Sequence, residues 1–199
     1  MQYMSDIRDA YNQAALKYRE KYDKIPVRVE DVDVALNFID SELPRVVEIG
    51  CAYGREASYI LSKTTDYIGV DISDVYIEMA RKELPGVTFV QADVMDYDWP
   101  GNIDVIYAFA SLLHLNKNEM MTVVRSAAKS LKSGGVFFLS LKRGHRYLEK
   151  LIDDGHSKRL FYYYTRDTIN DLTPNTLAEV YYAEQNLKEP WFTMILQKS

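Results

Sequence analysis

Residues 46–54 read VVEIGCAYG, a short β-branched run that passes through Glu48 and ends in Gly50 and Gly54, with Ala52 between them. Such a run reads as a strand entering a tight turn. Working outward, the same plan recurs. A short helix over 55–63, with Ala57, Ile60 and Leu61 inward, separates it from a second strand, DYIGVD (66–71). A helix over 74–84 leads to VTFVQAD (87–93), then IDVIYAFA (103–110). A helix over 117–132 carries Met120, Val124, Ala127, Ala128 and Leu131 in phase, and Gly134-Gly135 reads as its stop before VFFLSLK (136–142),. Strands alternating with helices predict an α/β fold with parallel pairing and right-handed crossovers. Runs as apolar as VFFLSL suit strands covered on both faces.

The flanks read differently. Upstream, Ser5 is placed to cap a helix with Ile7, Tyr11, Ala14, Ala15, Tyr18 and Tyr22 on one stripe,. Pro26 closes it, and a second helix follows with Val32, Ala35, Leu36, Ile39 and Leu43 on one side, ending before Pro44,. Downstream, a helix near 165–172 precedes LAEVYYAEQN (177–186) and WFTMILQK (191–198), which read as an antiparallel hairpin,. The sum is one domain over 1–199: an N-terminal helical lid (1–44), a core (45–145), and closing helices with a β-hairpin (146–199). The sheet is mostly parallel and seven-stranded, with helices on both faces and a reversed strand at its end.

Composition narrows the classes. The net charge of −5 gives no electrostatic reason to expect nucleic acid, whose binders usually show a basic face,. The single cysteine, Cys51, forbids an intrachain disulfide and fits a reducing cytoplasm,. The polar N-terminus lacks the plan of a signal peptide, and no apolar run reaches the roughly 18–20 residues that span a bilayer. No His/Cys/Asp/Glu cluster has metal-ligand spacing, so no metal is expected, and His145 and His156 read as loop residues,.

In an open parallel sheet, ligands bind beyond the carboxyl ends of the strands. The turn 50–54 lies there, and the helix start beyond it offers free N–H groups to a carboxylate or phosphate. A dinucleotide turn needs G-x-G-x-x-G, and from Gly50 the next two positions are Ala52 and Arg55, a bulky cation where helix–strand packing needs glycine,. Asp71 follows about 20 residues on, where an acid can accept both hydroxyls of a ribose,. Asp93 ends the third strand, positioned to meet the exocyclic amine of a purine lying across the strand ends.

EIGCAYG, GVDIS, QADV, YAFASLLHL and LKSGGVFFLSLK, in this order and spacing, resemble the class I S-adenosylmethionine-dependent methyltransferases. The resemblance implies a Rossmann-like fold, the cofactor S-adenosyl-L-methionine with S-adenosyl-L-homocysteine as product, and a set of roles. Glu48, Gly50, Cys51, Ala52, Gly54 and the adjoining Arg55 would hold the methionine moiety. Asp71 would take the ribose with Ile72 beside the adenine, and Asp93 and Val94 would face the amine and ring. Ala108 and Phe109 would pass the sulfonium. Tyr11 and Tyr18, in YNQAALKY, match a helix that covers the cofactor, with Asn12 standing for the family's frequent Asp. Ala52 stands where the family has its middle glycine, and is expected to be tolerated if its φ is negative.

Methyl transfer from a sulfonium requires chiefly orientation and desolvation, with a base only where the nucleophile carries a proton. His114 is the candidate catalytic base, following the fourth strand in SLLHL,. A histidine there can equally pack or cap the loop. Ser111, three residues earlier, lacks the G-x-S-x-G elbow of a hydrolase,. Lys142, heading a basic loop, and Tyr163, in the aromatic run 161–164, are candidate substrate contacts, against the plainer reading of solvated charge and core packing,. The function expected is methyl transfer to a small-molecule acceptor, by a monomer or homodimer without nucleic-acid or membrane partners. The alternatives are aminopropyl transfer on the same fold, or a cofactor-binding regulator without turnover.

Overall fold

The computed structural model describes residues 2–186 and 189–199. Two helices, α1 (Gln2–Tyr22) and α2 (Val29–Leu36), precede the alternating unit. That unit runs β1 (Val46–Ile49), α3 (Ala57–Ile60), β2 (Tyr67–Asp71), α4 (Asp74–Glu83), β3 (Thr88–Gln91), β4 (Ile103–Phe109), α5 (Lys117–Ser130) and β5 (Leu131–Lys142). The chain then makes β6 (Leu148–Asp153), β7 (Lys158–Tyr163), α6 (Arg166–Leu172), β8 (Leu177–Gln185) and β9 (Trp191–Lys198).

The seven-stranded sheet has the order β3-β2-β1-β4-β5-β9-β8. The pairs from β3 through β5 are parallel, while β9 is antiparallel to both β5 and β8. One strand, β9, is reversed, as the C-terminal hairpin predicts, but it lies between β5 and the edge strand β8 rather than at the sheet's end. From β1 the chain goes one way to β2 and β3, then returns to lay β4 on the other side. The crevice of such a sheet opens at that reversal, between β1 and β4. Both strands are buried along their whole length. That is why VVEI and IDVIYAF read as unbroken runs rather than alternating ones.

The helices are set by local chemistry. Asn116 and Glu119 form a capping box at the start of α5, and Ser73 caps α4 by accepting from the N–H of Tyr76,. The α5 stripe buries Met120, Val124 and Ala127 completely. Burial of Met120 or Val124 contributes on the order of 1.5–3 kcal/mol each relative to exposure.

Four expectations need correction. The first helix begins at Gln2, so Ser5 lies inside it and not at its cap. The second helix stops at Leu36, and Leu43 is 70% exposed, because the chain turns away before Pro44. Helix α5 passes directly into β5 at Leu131, so Gly134 and Gly135 lie within a strand and not at a helix stop. Residues 148–163 form a separate antiparallel hairpin, β6–β7, within the segment expected to hold closing helices and a single hairpin.

Candidate functional site

A cavity of about 530 Å³ opens at the sheet reversal, a size ordinary for a cofactor or small-ligand site. The ends of β1, β2 and β3 bring Glu48, Asp71 and Asp93 to its wall, together with Gly50, Ala52, Arg55, Ile72 and Val94. Helix α1 contributes Tyr11, the end of β4 contributes Phe109, and the 3-10 turn after it contributes His114.

The turn after β1 is tightly determined. Gly50 has φ +77°, and a Cβ there would lie 2.2 Å from that of Ser111, a contact no side chain can make. Ser111 is itself pinned, its hydroxyl donating to the Ile49 carbonyl at 2.6 Å. Ala52 has φ +47°, so the left-handed backbone that favours glycine is required here. The condition on which Ala52 was expected to be tolerated, a negative φ, is therefore not met. Its N–H donates to Asp71 Oδ2 at 2.9 Å, which holds the strained turn against the next strand,. Ala110, on the facing turn after β4, is left-handed too, at φ +52°.

The carboxylates differ in state. Glu48 is buried and receives a hydrogen bond from the Tyr67 hydroxyl at 2.6 Å. Burial first, then the nearby Glu56, push its carboxyl up to about 8. Asp71 accepts from the N–H groups of Ala52 and Ser73, yet burial pushes it up to about 6. Asp93 accepts from the N–H of Met95 at 2.9 Å. Each acid has lone pairs left over for a ligand. Arg55, though on the wall, is committed to its neighbour Glu56 and to the carbonyls of Tyr22 and Ile25.

His114 is more constrained than the sequence suggests. Its Nδ1 lies 2.7 Å from the Leu160 carbonyl, which can only accept, so Nδ1 carries the hydrogen,. Nε2 therefore accepts from the Tyr11 hydroxyl at 2.8 Å. Burial lowers the imidazole to about 4, and Arg159 and Lys142 act in the same direction. The side chain is a neutral imidazole with both nitrogens engaged, rather than a free base.

Six expected residues stand behind the wall. Tyr18 is fully buried, its hydroxyl donating to Asp154 at 2.8 Å. Cys51 and Ala108 are core, and Gly54 packs under Leu84 and Phe89. Lys142 and Tyr163 meet Glu189 instead. Sequence reasoning missed Arg28, Gln185 and Trp191, all on the wall. The segment between α1 and α2 delivers Arg28, whose guanidinium lies over the Phe109 ring at 5.9 Å. Its charge carried no motif. Strands β8 and β9 deliver Gln185 and Trp191, which only the sheet order brings near the cavity.

Residues 46–135 match the family model described as a methyltransferase domain, and these residues hold the crevice strands β1 to β4. Over this stretch the chain is similar to a methyltransferase domain. Among proteins similar to the chain, a trans-aconitate 2-methyltransferase of Acidovorax sp. (strain JS42) is 41% identical over 34% of the chain and 27% of its own length. A fatty-acid O-methyltransferase of Mycolicibacterium smegmatis is 34% identical over 49% of the chain and 37% of its own. The chain thus matches well under half the length of these curated relatives. Among solved structures, the Burkholderia thailandensis 1,6-didemethyltoxoflavin-N1-methyltransferase superposes with TM-score 0.78 at 17% identity, covering 100% of this chain and 89% of that one. Magnesium protoporphyrin IX methyltransferase of Synechocystis PCC 6803 gives TM-score 0.75 at 15% identity, covering 98% and 97%. At these identities the likeness is one of fold. Among the described residues, no helix is long and apolar enough to cross a membrane, and no group of His, Cys, Asp and Glu could hold a metal ion.

Proposed function

We propose that the chain transfers a methyl group from S-adenosylmethionine to a small-molecule acceptor at the cavity between β1 and β4. The observation that carries this reading is the placement of Glu48, Asp71 and Asp93 at three successive strand ends around that cavity. The residues fit the cofactor by their own chemistry. Glu48 is a buried carboxyl bordered by further acids, with a neutral hydroxyl as its hydrogen-bond donor. A primary ammonium there removes the penalty on its charge. Arg28, on the same wall, is the counterpart for a carboxylate, so the two ends of an amino acid have opposite charges to meet,. Asp71 keeps unused lone pairs for a ribose diol, and Asp93 and Val94 offer an acceptor and an apolar surface to a purine.

The cofactor supplies a methyl group on a sulfonium, ready for in-line displacement. The protein orients and dries the reactants. Phe109 and Ala110 close the end of β4, Tyr11 covers the opening from α1, and His114 fixes the Tyr11 hydroxyl. Tyr18, Cys51, Gly54 and Ala108 support this wall from behind. The lid, core and closing segments act as one domain. Relatives named for trans-aconitate and for fatty acids support a small-molecule acceptor.

Calorimetric titration with S-adenosylmethionine tests the assignment. Asp71→Ala should weaken binding by about 1–3 kcal/mol, the range for a lost charged acceptor. An unchanged affinity would remove Asp71 from the site.

A further inference from the structure

Lys142 ends β5 and Tyr163 ends β7, and their polar tips converge on one oxygen. The Lys142 ammonium donates to Glu189 Oε2 at 2.7 Å, and the Tyr163 hydroxyl donates to the same atom at 3.1 Å. The ammonium is boxed. The rings of Phe161, Tyr163 and Trp191 have their centroids 5.4, 5.4 and 5.3 Å from its nitrogen, and the residue is 8% exposed. Aromatic faces attract a cation, but a box of them strips its water. An anion entering such a site meets two charge-assisted or polar donors with little competition from solvent.

The present occupant is unlike the box. The Glu189 side chain is 56% exposed and belongs to the connection between β8 and β9. Its carboxylate is already largely hydrated, so the cost of its departure falls on the buried ammonium and is offset when another anion takes its place,. The site is also one ring away from the cavity in two directions. Trp191 is shared between box and cavity wall. Phe161 lies 4.6 Å from the ring of His114, which is on that wall.

We propose that Lys142 and Tyr163 form a carboxylate-recognising subsite of the acceptor pocket, filled in the free protein by the chain's own Glu189. The methyl acceptor is then a small molecule that carries a carboxylate. Its anion displaces Glu189 from the two donors, and Trp191 reports the exchange. The inference rests on the methyltransferase reading above.

The test uses the full chain with Trp99→Phe, which leaves Trp191 as the one tryptophan. Its emission is titrated with benzoate, phenylacetate and succinate, and with the corresponding neutral amides. The acids should produce a saturable change and the amides none. Glu189→Gln should tighten the acids about 3–10-fold, and Lys142→Met should abolish their effect. Tyr163→Phe, which removes only a hydroxyl, should weaken them about 3–10-fold and serves if Lys142→Met fails to fold. Calorimetry with S-adenosylmethionine on the same proteins separates the two claims. If the cofactor binds but acids and amides behave alike, or Glu189→Gln leaves acid affinity unchanged, the subsite is wrong. If the wild type does not bind the cofactor, the methyltransferase reading itself fails.

Discussion

Ala52 is a residue whose cost can be measured alone. A left-handed conformation is disfavoured for an alanine by roughly 1–2 kcal/mol, part of which glycine loses again through its freer unfolded chain. Ala52→Gly should therefore raise stability to urea by about 1 kcal/mol, with the Asp71 contact kept. A destabilised variant would mean that the alanine methyl contributes packing that outweighs the strain. Glu48 gives a second test. Its folded-state value of about 8 lies above the ordinary carboxylate value, so the free protein binds more protons than the unfolded chain,. Asp71, raised to about 6, acts in the same sense. Stability from both is full at low pH and is lost as pH rises through about 6 and then about 8. The thermal midpoint of the free protein should fall over that window, and Glu48→Gln should remove its upper part. On the proposed reading the ammonium of the cofactor meets ionised Glu48, so affinity should rise over the same window in the wild type and stay flatter in Glu48→Gln. A midpoint that rises with pH there would contradict the assignment. The strain at Ala52 was not legible in VVEIGCAYG, since φ depends on how the turn is tied to Asp71. Nor was the state of His114, which is set by Tyr11 and Leu160, distant in sequence.

At the scale of elements, the hairpin β6–β7 and helix α1 are tied by one polar cluster. Asp154 Oδ2 accepts from the Tyr18 hydroxyl at 2.8 Å and from Arg159 at 2.5 Å. Arg159 is 5% exposed, and its guanidinium lies 4.8 Å from the Tyr11 ring and 4.7 Å from that of Tyr18. Helix α1 thereby holds Tyr11 over the cavity. Asp154→Ala leaves a buried guanidinium without its carboxylate, so it should cost about 3 kcal/mol in urea unfolding. It should also weaken cofactor binding through Tyr11. A change under about 0.5 kcal/mol would show that the two elements are not coupled. The helix stripe of α1 was readable because it follows a period. The hairpin was not, because LEKLID alternates poorly and its burial comes from α1 and the 3-10 turn beneath it. The aromatic run 161–164 is fully buried, packed as core on both sides, which a simple extended strand with one solvent face does not predict.

Across the whole molecule, the alternation of strands and helices was legible because both-face burial writes continuous apolar runs, and connection rules leave few topologies. The reversed β9 followed from the closing hairpin. The same rules placed the carboxyl ends of β1, β2 and β3 together, so Glu48, Asp71 and Asp93 could be expected around one crevice. Residues that reach the cavity from outside the alternating unit, Arg28, Gln185 and Trp191, depend on the final sheet order and had no local signal. The central claim is that the turn after β1 and its neighbours hold the amino-acid end of S-adenosylmethionine. The direct measurement compares S-adenosylhomocysteine with 5′-methylthioadenosine, which keeps the nucleoside and lacks the amino acid. The account predicts that methylthioadenosine binds at least about 100-fold more weakly, a loss of about 2.7 kcal/mol. Equal affinities would contradict it.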